Sequence, residues 1–215
     1  MKHGAIFDMD GTLLDTEKYY RQGWLEMADQ FGVEINPKFA AAMSGCSAIL
    51  MTYIVNKFYP KIDAEKYVNA VKAFVKSETE KNLSLMPGTE EILNYFKSQN
   101  ILMAVASSSL TETVEKNLKR AGIINYFSVL IGGEQVKKGK PEPDIFIKAA
   151  ELLKLSPTDC YIFEDSFNGI RAANASGGVA IMIPDQVQPS DEIKSLCHVY
   201  ESLTHSMQAI QRGEI

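Results

Sequence analysis

Asp8 and Asp10 stand two residues apart in Ile6-Phe7-Asp8-Met9-Asp10-Gly11-Thr12, where an apolar run meets a turn. Side chains at i and i+2 share a face of a strand, so both carboxylates can address one reacting group. A carboxylate is an oxygen nucleophile already ionised at neutral pH, and a second one beside it can donate and accept a proton. That division of labour suits phosphoryl transfer through an aspartyl-phosphate. A bare D-x-D is also what a solvated strand end or an Asp-Gly turn looks like, so the pair needs partners elsewhere in the chain.

The elements that must position the pair follow from hydrophobic patterning. Short apolar runs alternate with amphipathic stretches, which predicts βα units and a parallel sheet. Strands are expected at Ala5–Phe7, Ile101–Ala106, Phe127–Ile131, Cys160–Phe163 and Val179–Ile183, with helices between them near 89–98, 110–121, 144–153 and 167–176. Gly122 and Gly177 read as helix stops. From about Thr16 to Leu85 the pattern changes. Helical periodicity runs over Tyr19–Phe31, Pro37–Met43, Ala48–Phe58 and Ala64–Asn82, punctuated by Gly32, Gly45 and Pro60, with no convincing strand. The expected architecture is therefore α/β: a doubly wound, Rossmann-like parallel sheet formed by residues 1–15 and 87–215, with a small α-helical domain, 16–86, inserted between the first two strands. Two linkers, near 13–17 and 83–88, would let that domain open and close over a site.

Open parallel sheets bind ligands beyond the carboxyl ends of their strands. The first strand delivers Asp8 and Asp10 there, the second Ser107, Ser108 and Ser109, and the fourth Glu164 and Asp165. Lys137-Lys138-Gly139-Lys140-Pro141-Glu142-Pro143-Asp144 lies between the third strand and a helix. Crowded carboxylates repel one another and a phosphate unless a cation intervenes. Hard oxygen ligands suit Mg²⁺, with Asp165 as a second carboxylate ligand beside Asp8 and Glu164 holding a metal-bound water. Ser107 and Ser108 can donate to phosphate oxygens, and Lys140 can neutralise the phosphate and Asp8. Simpler roles compete at several positions. Ser108 or Ser109 is expected to cap the following helix, and Glu164-Asp165-Ser166 could do the same for the next one. Asp144 is expected to cap the helix beginning near Ile145, Gly169 could allow close helix–sheet packing, and Lys137 and Lys138 read as surface.

The chain has 215 residues, 46% of them hydrophobic, with a formal charge of −5. The acidic balance argues against broad nucleic-acid or anionic-membrane binding. Three widely spaced cysteines, Cys46, Cys160 and Cys197, give neither a disulfide framework nor a zinc site. His3, His198 and His205 form no ligand spacing. With no leader or spanning segment in the pattern, a cytoplasmic monomer acting on a small phosphorylated metabolite is expected.

Taken together, these segments resemble the haloacid dehalogenase-like hydrolase superfamily, in its β-phosphoglucomutase-like and sugar-phosphate phosphatase branch. The resemblance is carried by Asp8-Met9-Asp10-Gly11-Thr12, Ser107 after its strand, Gly139-Lys140-Pro141-Glu142-Pro143-Asp144, and Glu164-Asp165-Ser166-Phe167-Asn168-Gly169-Ile170. It implies that the helical insertion is a cap and that Asp8 attacks phosphorus. It also implies that Asp10 protonates the leaving oxygen and then activates water. Mg²⁺ would bind the Asp8 carboxylate, the Asp10 backbone carbonyl and Asp165, while Thr12 supports the nucleophile loop. Asp15 and Thr16 would serve as hinge residues. An aspartate at position 10 favours phosphate esters over dehalogenation. Mutases of this branch carry a histidine where this chain has Tyr20, and a phosphate-gripping arginine in a cap loop that here reads Gly45-Cys46-Ser47-Ala48. An alanine there offers no bidentate grip, which favours a phosphatase. Thr16, Tyr20, Trp24, Cys46 and Ser47 are the candidates for contacts to substrate from the cap, Trp24 being equally suited to core packing.

Competing classes fit less of the pattern. A phospho-receiver signalling module would not need Asp10 or the helical insertion. A noncatalytic binding protein would not need the full set of Asp8, Asp10, Lys140 and Asp165. A serine hydrolase lacks G-x-S-x-G, and a dinucleotide enzyme lacks G-x-G-x-x-G after the first strand.

Overall fold

The computed structural model describes residues 1–43, 48–185 and 188–215. Its strands are β1 (Gly4–Phe7), β2 (Leu102–Ala106), β3 (Val129–Ile131), β4 (Cys160–Glu164), β5 (Val179–Met182) and β6 (His198–Val199). They form one parallel sheet in the order β3-β2-β1-β4-β5-β6. Between β1 and β2 come α1 (Glu17–Phe31), α2 (Pro37–Met43), α3 (Ala48–Phe58), α4 (Ala64–Lys81) and α5 (Thr89–Ser98). Then α6 (Thr111–Arg120) precedes β3, α7 (Asp144–Leu152) precedes β4 and α8 (Phe167–Ser176) precedes β5. The chain finishes with α9 (Asp191–Lys194), β6 and α10 (Leu203–Gln211).

Alternation along each strand divides the core into two layers. Ala5, Phe7, Met103, Val105, Tyr161 and Phe163 face one layer, which α5, α6 and α10 complete with Ile92, Phe96, Val114, Leu118, Leu203 and Ile210. Ile6, Ala104, Ala106, Cys160 and Ile162 face the other, completed by α7, α8 and α9 through Ile145, Phe146, Ala149, Ile170, Ala173 and Ile193. Covered on both faces, the central strands read as continuous apolar runs rather than as alternating ones.

The five expected strands are present within two residues of their expected ends. The last stretch, α9, β6 and α10, carries no expectation from the sequence. β6 is two exposed residues at the sheet edge and α9 is four residues long, both too short to display a period.

Helices α1–α4 gather around a third apolar cluster of their own, including Tyr19, Trp24, Phe39, Val55, Tyr67, Val68 and Val71. Trp24 lies at its centre, edge-on to Phe39 with ring centroids 5.4 Å apart and to Tyr67 at 5.2 Å. The Tyr67 hydroxyl donates to the Trp24 carbonyl at 2.9 Å. Trp24 therefore takes the packing role, one of the two its spacing allowed. Its spacing from Tyr20 put it on the helical face that turns inward.

The chain enters and leaves this layer side by side. Leu14 and Leu85 form an antiparallel bridge, Asp15 N donates to Ser84 O at 3.0 Å, and Met86 N donates to Leu13 O at 2.9 Å. Lys18 clasps the same crossing, its ammonium 2.5 Å from Asp15 Oδ2 and 3.1 Å from Ser84 Oγ. The Tyr19 hydroxyl reaches the Asn82 carbonyl at 2.7 Å.

The ends of β1 and β4 are set by an aromatic stack. Phe7 pairs in register with Phe163, and their rings lie 4.6 Å apart at an interplanar angle of 10°. Each immediately precedes a carboxylate, Asp8 and Glu164. Both rings are fully buried. Truncating Phe163→Ala should lower unfolding free energy by about 3–5 kcal/mol, read as a shift in the urea midpoint.

Candidate active site

The strand order turns at β1 and β4: β2 and β3 lie to one side, β5 and β6 to the other. Such a turning point leaves a crevice beyond the carboxyl ends of the strands. Asp8, Glu164 and Asp165 emerge there, all buried.

Lys140 comes from the loop before α7 and is buried with them, its side chain 2% exposed. Its ammonium donates to Asp8 Oδ1, to Glu164 Oε1 at 2.5 Å and to the Ala106 carbonyl at 3.2 Å. These acceptors match the three donors of an ammonium. The Phe146 ring lies beneath, its centroid 5.1 Å away, a cation–π contact. Burial works against the charge of Lys140, but Asp8 and Glu164 outweigh it and hold the group above the ordinary lysine range. Burial pushes Asp8 up to about 8, opposed by Lys140 and reinforced by Glu164 and Asp10.

Glu164, expected to hold a metal-bound water, gives Oε1 to Lys140 and Oε2 to its own turn. Oε2 accepts from Asp165 N at 3.1 Å, Ser166 N at 3.0 Å and Ser166 Oγ at 2.9 Å. Ser166 in turn caps α8, its hydroxyl accepting from Gly169 N at 3.0 Å. The capping and charge roles weighed for this segment are thus divided between neighbours. Gly169 does more than ease helix–sheet packing. A Cβ there would fall 1.8 Å from Glu164 Cδ.

Asp10 is held by hydroxyls from two directions. Thr16 Oγ1, in the linker before α1, donates to Oδ1 at 2.7 Å. Ser109 Oγ at 3.0 Å and Ser107 Oγ at 3.4 Å donate to Oδ2. Burial raises the Asp10 carboxyl, while those hydroxyls and Lys140 pull it the other way. Ser107 also accepts from Ser109 N at 3.0 Å. Ser108 lies partly buried on the same loop.

The expected helix caps need correcting. Neither Ser108 nor Ser109 caps α6: the cap position is Leu110, with no side-chain bond. Glu134, from the turn after β3, instead accepts from Thr111 N at 3.1 Å. That turn also holds the serine loop, with Gly133 N donating to Ser109 O at 2.9 Å, and this leaves the Ser109 hydroxyl free to turn toward Asp10. Asp144 is not a cap either. It is the first residue of α7, and Pro143, which has no side-chain acceptor, occupies the cap position.

Thr12 Oγ1 points at Asp165 Oδ1 across 3.5 Å. Burial raises the Asp165 carboxyl, with Glu164, Glu17 and Asp8 adding to it and Lys140 opposing. Gly11 adopts φ 79°, and a Cβ on it would stand 2.6 Å from Asp165 Oδ2. Glycine therefore keeps the space before that oxygen open. Among the described residues no three His, Cys, Asp or Glu side chains form a ready-made metal nest. Two carboxylates and a backbone carbonyl, completed by water and a substrate oxygen, nonetheless suit Mg²⁺, which retains several waters.

Of the candidates beyond the sheet, Thr16 reaches the site, and Tyr20 packs against the helical cluster within electrostatic reach of Asp10 and Glu17. Burial and the Asp10 and Glu17 carboxylates raise the Tyr20 hydroxyl, so it stays neutral. Cys46 and Ser47 lie outside the described residues. Sequence reasoning missed Glu17, whose carboxyl is raised by burial and by Asp10, Asp185, Asp8 and Glu164. An acidic residue in a first helical turn is ordinary dipole compensation, so nothing in the sequence sets it apart. It also missed Ser109 as a partner of Asp10, because serines before a helix suggest a cap.

Comparison with known proteins identifies the family of the chain. A family model described as haloacid dehalogenase-like hydrolase matches residues 5–183. The chain is 34% identical, over 80% of its length and 81% of the relative's, to a phosphorylated carbohydrates phosphatase of Thermotoga maritima. It is 32% identical to a β-phosphoglucomutase of Bacillus subtilis over 86% and 84% of the two chains. Among solved structures, a β-phosphoglucomutase from Clostridium difficile superposes with a TM-score of 0.81 at 24% identity, over 99% of this chain and 96% of that one. This last likeness concerns the fold.

The Gly169–Glu164 contact gives a direct test. Gly169→Ala should cost about 1–3 kcal/mol through overpacking, seen as a lower melting temperature, because its Cβ would fall on the Glu164 carboxyl.

Proposed function

Because this chain belongs to the haloacid dehalogenase-like hydrolase family, we propose that it is a Mg²⁺-dependent phosphatase. It hydrolyses a small phosphorylated sugar or polyol through an aspartyl-phosphate on Asp8. The observation that carries the reading is Lys140, buried against Asp8, with Asp10 two residues on and held by hydroxyls at the same strand end.

Each residue then has a role. Asp8 attacks phosphorus, and the bond from phosphorus to the leaving oxygen breaks as Asp10 gives that oxygen a proton. Asp10, now ionised, takes a proton from the water that attacks the phosphorylated Asp8, and phosphate and free Asp8 result. A carboxyl raised by burial is suited to carry the first proton at neutral pH. Lys140 offsets the charge on Asp8 and on the transferring group, and Glu164 keeps it in place. Ser107 and Ser108 are the candidate donors to phosphate oxygens. The Asp8 and Asp165 carboxylates and the Asp10 carbonyl would hold Mg²⁺, which would supply charge neutralisation and favour ionised carboxylates around it. Residues 16–86 act as the cap, hinged at the clasped linkers.

Phosphatase is preferred to mutase because of Tyr20. A neutral phenol beside Asp10 cannot exchange a proton near pH 7 as a histidine would, so nothing at that position withholds the acid/base group from water.

The test is phosphate release with Mg²⁺ from a panel of phosphorylated sugars, polyols and nucleotides. Asp8→Asn should reduce turnover to background. Asp10→Asn should lower kcat by about 10²–10⁴-fold. Removing the metal with EDTA should stop turnover, and adding Mg²⁺ should restore it. Near-normal release by Asp8→Asn would sink the covalent mechanism. Interconversion of glucose 1- and 6-phosphates faster than phosphate release would make the protein a mutase.

A further inference from the structure

The serine loop after β2 is braced from behind, by the turn that follows β3. Thr111, the first residue of α6, joins the two. Its hydroxyl donates to Glu134 Oε1 at 2.5 Å and accepts from Gly132 N at 3.1 Å and Gln135 Nε2 at 2.6 Å. One donor and two lone pairs are the full capacity of a hydroxyl. Its N–H also donates to Glu134 Oε1, at 3.1 Å. Two glycines let the turns touch. A Cβ on Gly132 would stand 2.2 Å from Thr111 N, and one on Gly133 would stand 2.8 Å from Ser108 O. Gly133 N donates to Ser109 O at 2.9 Å, and Ser109 N donates to Ser107 Oγ at 3.0 Å.

With its backbone held at both ends, Ser109 turns its hydroxyl to Asp10 Oδ2 at 3.0 Å, closer than Ser107 at 3.4 Å. A carboxyl oxygen accepts such a bond whether the group is ionised or protonated, so the contact holds in either state of Asp10. What it fixes is orientation. Thr16 holds Oδ1 from the linker, and Ser109 holds Oδ2 from the sheet end that also carries Asp8. Rotation of the carboxyl about its Cβ–Cγ bond breaks contacts on both sides. An acid must lie within hydrogen-bond reach of the oxygen it protonates, and small misplacements lower the rate steeply.

We propose that Ser109 is a positioning residue for Asp10, and that Glu134, bonded to Thr111 rather than to any group of the crevice, acts on the same step by holding Ser109 in place. This rests on the acid/base role given to Asp10 above. Two simpler roles predict otherwise. If Glu134 only caps α6, its loss lowers stability and leaves turnover unchanged. If Ser109 binds the transferring phosphate, its loss slows all phosphate esters alike.

The experiment measures kcat/KM, with Mg²⁺, for two alkyl esters, fructose 1-phosphate and glucitol 6-phosphate, and for p-nitrophenyl phosphate. The proteins are the wild type, Ser109→Ala, Glu134→Ala, Glu134→Gln and the double alanine variant, with melting temperatures to identify those that fold. This ratio covers the steps up to departure of the leaving group. Nitrophenolate departs without a proton, whereas an alkyl leaving group needs one. Ser109→Ala should lower kcat/KM for the alkyl esters by about tenfold and for p-nitrophenyl phosphate by less than about twofold. Glu134→Ala should show the same pattern with a smaller loss. Glu134→Gln, which keeps an acceptor for Thr111, should recover most of it. The double variant should be no slower than Ser109→Ala, as expected for two residues acting in series. An equal loss on all three substrates, or no loss in folded Ser109→Ala, overturns the proposal and leaves the phosphatase reading intact. Losses that multiply in the double variant overturn the role of Glu134. A wild type that releases no phosphate from any of the three overturns the phosphatase reading, and this proposal with it.

Discussion

An ammonium buried between two carboxylates is the constraint around which the crevice is built. Isolated, any one of these charges would be costly to bury, and the group is tolerable only when paired with good geometry and with its other polar atoms satisfied. The chain meets each condition from a different segment. Lys140 comes from the loop before α7, Asp8 from the end of β1, Glu164 from the end of β4, and the third acceptor from the β2 carbonyl of Ala106. The second oxygen of Glu164 is taken up by the turn that starts α8, and Gly169 leaves room for it. The Phe7–Phe163 stack sets the register in which the two carboxylates meet the lysine. Packing, strand pairing and charge are here parts of one requirement.

Asp10 differs in kind. Its carboxylate lies at the junction of two bodies, bonded on one side to the serine loop after β2 and on the other to Thr16 in the linker. The nucleophile side is fastened by a salt-bridged core, whereas the proton-handling side shares its partners with the start of α1. Movement of the helical layer would therefore act on Asp10, Glu17 and Tyr20 before it acts on Asp8.

The parallel sheet, the helical insertion and four of the convergent segments were legible in the sequence because each leaves a strong pattern. Apolar runs with flanking glycines mark doubly covered strands, and carboxylates or hydroxyls just after such runs mark the ligand-binding rim. What escaped depends on three-dimensional closeness. Glu17 has nothing in its neighbourhood of sequence to set it apart from a helix-start acid. Gly169 reads as a packing glycine until Glu164 is placed beside it. The α6 cap is provided by Glu134, more than twenty residues later, so local cap rules chose the wrong serines. Trp24 had the right spacing to share a face with Tyr20, but aromatic partners on α2 and α4 take that indole into their own core.

The bridge between Leu14 and Leu85 has a consequence for how such a chain can be assembled. The two ends of the helical segment are neighbours in a ladder, where strands lie about 5 Å apart. To the sheet, some seventy inserted residues look like one long hairpin turn, and the entropy of closing a loop grows only slowly with its length. The sheet can thus pair β1 with β2 whatever the helices between them are doing, and the helices can gather on their own apolar cluster in turn. An arrangement of this kind lets the inserted layer be lengthened, shortened or exchanged without redesign of the strands beneath it. The chemistry at the sheet end can then stay fixed while the inserted layer diverges.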